Sequence, residues 1–360
     1  MTRYLDVQHM RELCARVGIA ELIRRIEAAI EADFRRWPEF DKSARIARYA
    51  REGAIELMPV ADARHFSFKY VNGHPGNPQH GLPTVMAFGV LSDMHTGYPL
   101  LLSELTLTTA LRTAATSALA ARWLARPGAR CMAIIGNGAQ SDFQALAFMT
   151  LLGIRALRLY DKDPAAMRKL ADNLAAVCAS GGMPAPEIRL CGSAREAAAG
   201  ADIVTTLTAA QARAQILTLD MLAPGTHVNA VGGDSPGKTE LHCDILKNAK
   251  VFVEYLPQTR IEGEIQQIPE LNAPELWNVI NGTHPGRTAD DEITVFDSVG
   301  FALEDFSALR VLFELSGKLG IGSQLDLIAA PDSPKNLFGL LCHAPSEPSP
   351  DKACALMPCM

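Results

Sequence analysis

The chain has 360 residues, 48% of them hydrophobic, and a formal net charge of -6, enough length to bury a large core and to form two domains rather than one. The acidic balance carries no basic patch, which disfavours nucleic acid and anionic membrane surfaces as partners. No apolar run approaches the roughly 20 residues needed to cross a bilayer, and Arg3, Asp6, Arg11 and Glu12 break any signal-peptide pattern, so a cytoplasmic location is expected.

Ile19, Leu22, Ile23, Ile26, Ile30 and Phe34 recur at helical spacing with Arg24, Arg25, Glu27 and Glu31 opposite, predicting an amphipathic helix over 19–36. Its apolar face is expected to cover the sheet that follows. Residues 54–58, 66–71, 85–91 and 99–102 are short β-rich runs separated by turn clusters, and strand after strand without helices between predicts an antiparallel or mixed sheet. From Thr106 to Ala125 the composition turns to Ala, Leu, Thr and Arg without Gly or Pro, predicting one helix that links two domains.

Residues 132–135 then read as a buried strand, Gly136 and Gly138 as a tight turn, and the run from Ala139 to Leu152 as a helix. A helix N-terminus offers unpaired N–H groups and partial positive charge, and glycines let a pyrophosphate approach both. The G-x-G-x-x-G pattern is imperfect, with Ser141 at the third glycine position, but serine is small enough to keep helix and sheet close. Asp161 ends the next strand 25 positions after Gly136, where a carboxylate accepts both ribose hydroxyls and repels a 2′-phosphate, favouring NAD. Glycines at a strand-to-helix turn also close flavodoxin-like and other α/β folds. Beyond this turn, strands and helices alternate through 154–160, a helix from Pro164, 187–190, a helix introduced by Ser193 and Glu196 as a capping box, 202–207, 227–231, 251–254 and 293–296. The fold class expected is therefore α/β: a Rossmann-type doubly wound parallel sheet plus an α+β substrate-binding and dimerisation domain. The domain bounds expected are 1–112 for substrate binding and dimerisation, with 320–345 packing back on it, 113–319 for NAD, and a mobile tail over 346–360. A helical run from Phe301 to Leu319 is expected to pack back across the boundary.

The cysteines, eight in number, show neither CxxC pairing nor regular spacing, which disfavours a zinc site and a disulfide scaffold. No metal is expected. Cys354 and Cys359 fall in a Pro- and Ser-containing tail from about Ala344, expected to be mobile and without catalytic importance.

Ligands of open α/β sheets bind beyond the carboxyl ends of the strands. Two such loops carry reactive types: 232–238, with Asp234 past two glycines, and 297–300. Such a Gly, Asp, Ser and Pro mixture is also an ordinary turn. In the first half, Arg45, Lys69 and Arg112 are cations on or beside strands or on the Ala-rich helix, and Glu56 lies in an apolar run. Each alone also reads as a surface charge.

The runs Asp41-Lys42-Ser43-Ala44-Arg45, Ile55-Glu56-Leu57-Met58-Pro59, Phe68-Lys69-Tyr70-Val71-Asn72-Gly73, Thr84-Val85-Met86-Ala87-Phe88, Leu111-Arg112-Thr113-Ala114-Ala115-Thr116, Gly136-Asn137-Gly138-Ala139-Gln140, Asn229-Ala230-Val231-Gly232-Gly233-Asp234, Pro236-Gly237-Lys238-Thr239-Glu240 and Asp297-Ser298-Val299-Gly300 closely resemble the bacterial ornithine cyclodeaminases of the ornithine cyclodeaminase and mu-crystallin superfamily, in order from about residue 4 to 340. The resemblance implies a homodimer with tightly bound NAD acting on L-ornithine. By motif position it assigns Arg45, Lys69 and Arg112 to the substrate carboxylate, Arg112 also to the cofactor, Glu56 and Asp234 to the amines with Asp234 moving the proton, and Val299 to substrate. Thr84, Ala139, Gln140, Asp161, Thr208, Val231, Lys238 and Ser298 fall at cofactor-contacting positions. The chemistry implied is oxidation at the α-carbon, attack by the distal amine, loss of ammonia and return of the hydride to give proline. Relatives acting on lysine, amino-acid dehydrogenases, ketimine reductases and non-catalytic dinucleotide binders remain the alternatives.

Overall fold

The computed structural model describes residues 1–209 and 213–342. The tail containing Cys354 and Cys359 lies outside them. The chain opens with β1 (Thr2–Leu5), α1 (Val7–Val17) and α2 (Ile19–Arg35), then β2 (Asp41–Lys42), β3 (Ile46–Ala50), β4 (Gly53–Ala61), β5 (His65–Gly73), β6 (Val85–Asp93) and β7 (Pro99–Glu104), and α3 (Thr106–Leu124). The second half runs β8 (Cys131–Ile135), α4 (Ser141–Leu151), β9 (Ala156–Tyr160), α5 (Pro164–Gly181), β10 (Glu187–Leu190), α6 (Ala194–Ala198), β11 (Ile203–Thr206), β12 (Arg213–Leu217), β13 (His227–Ala230) and β14 (Thr239–Leu241). It continues with α7 (Cys243–Asn248), β15 (Lys250–Val253), α8 (Leu256–Glu262), α9 (Leu276–Ile280), β16 (Thr294–Asp297), α10 (Ala302–Leu319), β17 (Ser323–Leu325) and α11 (Gly339–Cys342).

The first sheet has the order β17-β1-β7-β6-β5-β4-β2, with β3 also paired to β4. Its long strands are antiparallel and only the β1–β7 pair is parallel, a mixed sheet as the strand-rich stretch predicts. The β1 and β17 pairing brings residues 323–325 back to the start of the chain. Leu22, Ile23, Ile26, Ile30 and Phe34 of α2 are fully buried, but they pack against α3 and α10. It is α10 that lies across β4, β5, β6 and β7, so the expectation that α2 covers the sheet is corrected. The physical reason is that α10 is buried almost all round over Ala302–Leu309, which only an inner layer requires, whereas α2 keeps one polar face for solvent.

The second sheet is wholly parallel, in the order β10-β9-β8-β11-β13-β16-β15. The order reverses direction between β8 and β11, so a crevice opens there at the carboxyl ends of the strands. The fold is thus α/β, a Rossmann-type sheet beside a mixed sheet. Between them α3 buries Ala114, Ala115, Ala118, Ala120 and Ala121, small side chains that let α2, α4 and α10 approach it closely. No helix among the described residues is long and apolar enough to cross a membrane.

Candidate active site

The glycine turn follows β8 directly. Gly136 has φ +93°, its N–H is held by the Tyr160 carbonyl at 2.9 Å, and a Cβ there would lie 2.8 Å from the Leu207 carbonyl carbon. Gly138, by contrast, faces open space, with nothing within 4 Å of a notional Cβ. Ser141 is fully buried and donates to the Gly138 carbonyl at 2.8 Å, so it closes the turn where a third glycine would only allow close packing. Asp161, at the end of β9, accepts from the backbone N–H of Asn137 and of Asp163. Gly136, Gly138, Ala139, Gln140, Asp161, Thr208, Val231 and Ser298 therefore all follow the carboxyl ends of β8, β9, β11, β13 or β16. Gln140 also donates to the Ala110 carbonyl of α3 at 3.0 Å. An open glycine, a helix N-terminus and a carboxylate one strand away suit a dinucleotide. Thr84 stands apart on the loop before β6, its carbonyl accepting from the His74 N–H at 2.9 Å.

A carboxylate framework shapes these loops from below. Glu254 accepts from Ser298 Oγ at 2.6 Å and from the N–H groups of Val299 and Gly300, and burial raises it to about 6. Asp297 accepts from the N–H of Glu264 and of Ile265, both at 2.9 Å, while burial raises it to about 7. Glu240 accepts from Thr208 through both N–H and hydroxyl. Gly232 and Gly233 pass directly over Glu240 and Glu264, where a Cβ would come within 2.3 and 2.4 Å of their carboxylates. Lys238 pairs with Asp234 at 2.9 Å, and Asp234 itself is half exposed.

Between the two sheets the cations meet. Lys69 is 1% exposed and Arg112 5%, which excludes the reading of either as an outward surface charge. Both rest on one carboxylate from the first turn of α10: Lys69 Nζ lies 2.7 Å from Asp305 Oδ2, and Arg112 Nε donates to Asp305 Oδ1 at 2.9 Å. Arg112 Nη1 donates to Glu304 at 2.6 Å. These contacts leave both hydrogens of Nη2 and one of Nη1 for an incoming anion, the fork that grips a carboxylate. Burial, reinforced by the Arg112 charge, lowers Lys69 to about 8. Burial works against Asp305, but the charges of Arg112 and Lys69 hold it below the usual carboxylate range. Glu304 rises to about 8, burial prevailing over Arg112. Gly300, at φ +76°, passes so close that a Cβ would lie 2.8 Å from Arg112 Nη1.

Arg45 is more fully committed. Its Nη1 donates to Glu56 at 2.8 Å, its Nη2 to the carbonyls of Val299 and Gly300 at 2.6 and 2.7 Å, and its Nε lies 3.1 Å from Glu262 Oε2. Three of its five N–H groups are thus spent on Glu56, Val299 and Gly300, so Arg45 chiefly locks the Val299 loop to β4. The structure thus brings Arg45, Glu56, Lys69, Arg112 and Val299 together, with Asp234 on the rim.

A family model described as the ornithine cyclodeaminase/mu-crystallin family matches residues 7–318. The chain belongs to the ornithine cyclodeaminase/mu-crystallin family. It is 55% identical over 339 residues to an ornithine cyclodeaminase of Brucella suis biovar 1 (strain 1330), covering 94% of this chain and 93% of that one. Among solved structures it is similar to a lysine cyclodeaminase described as recognising L-lysine, L-ornithine and L-2,4-diaminobutyric acid, with a TM-score of 0.85 and 32% identity over 92% of this chain and 97% of the other. It is also similar to an archaeal alanine dehydrogenase dimer with bound NAD, with a TM-score of 0.80 and 31% identity over 91% and 99%.

In this member of the family, sequence reasoning missed Asp305, Glu304, Glu254, Glu240 and Glu262. One signal was present: Phe301-Ala302-Leu303-Glu304-Asp305-Phe306 places two acids inside an otherwise apolar helical turn, and acids that interrupt a buried face need cationic partners.

Proposed function

We propose that this protein converts L-ornithine to L-proline and ammonia with NAD as a recycled cofactor. The observation that carries the reading is the pairing, above the carboxyl edge of a dinucleotide-type sheet, of two buried cations for a carboxylate (Lys69 and Arg112 on Asp305) with carboxylates for amines (Glu56 beside Arg45, and Asp234). A 55% identical relative named ornithine cyclodeaminase supports it. The chemistry that a bound NAD would supply is reversible hydride acceptance, from the substrate α-carbon and back to the cyclised product. Gly136, Gly138 and the N-terminus of α4 would hold the pyrophosphate, and Asp161 the adenosine ribose; the bound NAD of the alanine dehydrogenase relative supports a cofactor of this kind.

Lys69 and the free N–H groups of Arg112 fix the substrate carboxylate. The α-amino group must be neutral before the α-carbon loses hydride, and Asp234 takes that proton. Lys238, 2.9 Å away, orients Asp234. Glu56 holds the distal amine. Val299 and Gly300, clamped by Glu254 and Arg45, form the wall against which the carbon chain lies.

The assembly in this reading is a homodimer in the cytoplasm. On the face of the first sheet away from α10, Ile46, Leu57, Tyr70 and Phe88 form a cross-strand row, three of them more than 40% exposed, and an apolar row of this kind suits a second copy. The alanine dehydrogenase relative described as a dimer supports this.

Purified protein given ornithine and NAD is expected to release ammonia and proline in equal amounts without lasting NADH absorbance, and Asp234→Asn to lower turnover at least 100-fold. Stoichiometric NADH would instead make it an amino-acid dehydrogenase. Lysine run in parallel reports chain-length preference.

A further inference from the structure

Glu262 ends α8 and is 2% exposed. Its Oε1 receives the Tyr49 hydroxyl at 3.4 Å. Its Oε2 lies 3.1 Å from Arg45 Nε, yet not in line for a hydrogen bond, so Oε2 is buried without a donor and Arg45 Nε without an acceptor. A buried carboxylate oxygen in that condition is costly and is expected to have a partner in the working state. The local charge is also unbalanced. Arg45 alone stands between the two carboxylates Glu56 and Glu262, with Asp234 near enough to act on both Arg45 and Glu262. The site is one cation short, and the missing group must bring N–H donors.

Resting on the ornithine reading above, we infer that Glu262 joins Glu56 in receiving the substrate's distal amine, and that Glu262 accepts the proton this amine must lose before it attacks the α-carbon. In that step an N–H bond of the distal ammonium breaks and an O–H bond forms at Glu262 Oε2, and the freed lone pair on nitrogen makes the ring C–N bond at the α-carbon of the iminium left by hydride loss, as the π bond of that C=N breaks and its electron pair passes to the α-nitrogen. Nothing is oxidised or reduced. Burial raises Glu262 to about 7, against the pull of Arg45 and with the help of Glu56 and Asp234, which suits a proton acceptor working near neutrality. Tyr49 opposes the rise through its hydrogen bond. Arg45, Glu56, Asp234 and Tyr49 are the groups that act most strongly on Glu262. The same contact sets specificity, because a monoamino acid leaves the carboxylate stranded.

The test compares ornithine with norvaline, the same carbon chain without the distal amine. On the NAD-loaded protein, Glu262→Gln is expected to weaken equilibrium binding of ornithine, read by calorimetry, by roughly 10- to 100-fold, the scale of losing a hydrogen bond to a charged group, while norvaline binds as well or better. The ornithine kcat/KM should fall about 100-fold and lose its acid limb near pH 7, and Glu262→Asp should restore part of it. Tyr49→Phe, at an exposed position, is expected to move that limb to higher pH. Equal weakening of ornithine and norvaline would overturn the inference, leaving Glu262 as a support for Arg45, as would an acid limb unmoved in both variants. Wild-type protein that binds ornithine through Glu262 but releases no ammonia would count against the cyclisation alone.

Discussion

Asp305 is the residue on which the proposed carboxylate site depends. It is 1% exposed and is the shared counter-ion of Lys69 and Arg112. Replacing it with Asn leaves two buried cations without their common anion, and breaking a buried pair from one side costs about 3–5 kcal/mol. Its sequence neighbour behaves differently. Glu304 rises to about 8 through burial, so at pH 7 it is mostly the neutral acid, and Gln reproduces its shape and keeps an acceptor for Arg112 Nη1. Glu304→Gln is expected to change stability by no more than about 1 kcal/mol at pH 7. The pH dependence has a definite sign. Because the folded state binds the Glu304 proton more tightly than the unfolded chain does, the fold loses stability as pH rises from the ordinary carboxylate range to about 8. Glu304→Gln removes that slope. Urea unfolding at pH 5, 7 and 8 checks all three statements, and a Glu304→Gln protein that keeps the wild-type slope would show that Glu304 is ionised in the fold.

At the scale of elements, the loop after β8 separates conformational need from ligand need. Gly136 combines φ +93° with a Cβ position 2.8 Å from the Leu207 backbone, so Gly136→Ala strains the turn by about 1–3 kcal/mol and lowers both melting temperature and NAD affinity. Gly138 has no such neighbour. Gly138→Ala is expected to melt within about 2 °C of wild type but to bind NAD at least 10-fold more weakly, since the methyl occupies the space through which the pyrophosphate reaches the α4 N-terminus. Equal NAD affinity in the two proteins, read by fluorescence titration, would move the phosphate site elsewhere. That loop was legible in the sequence because strand, turn, helix and following acid are contiguous. The same is true of the hairpins of the first sheet and of the Ala-rich α3. What the sequence concealed was tertiary. The stretch of α2 read as an amphipathic helix expected to cover the sheet and that of α10 as a helical run packing back across the domain boundary, and that reading did not tell which becomes the inner layer. Arg112 and Asp305 are 193 positions apart, and Glu262 and Arg45 are brought together by α8 and the β2–β3 loop. The candidate cations and Glu56 could be picked out by motif, whereas for the other carboxylates the one local trace was the acid pair Glu304-Asp305 in an apolar turn, and which cation each one holds became definite only once the chain had folded.

For the whole molecule, the first sheet has two unlike faces. One is covered by α10, whose Phe306 packs edge-on to Phe40. The other exposes Ile46, Ile55, Leu57 and Phe88 at 54, 43, 41 and 43%, with Tyr70 stacked on Phe88 at 5.0 Å. Alternation along a strand normally turns polar side chains to water, and here the alternate positions are apolar on adjacent strands, so the outer face has the composition of a buried one. A second copy related by a two-fold axis would lay the same row against itself. Phe88→Lys is expected to shift the protein from dimer to monomer in light scattering, because it places a charge in that row beside Tyr70, where the proposed contact would bury it. NAD affinity should persist in the monomer, because the glycine turn and Asp161 belong to the other sheet. Turnover of ornithine should fall, because Glu56 and Lys69 lie on β4 and β5, the strands that carry Leu57 and Tyr70, and their spacing depends on the sheet keeping its shape. A Phe88→Lys protein that remains dimeric would assign the subunit contact to another surface and leave this row without a partner.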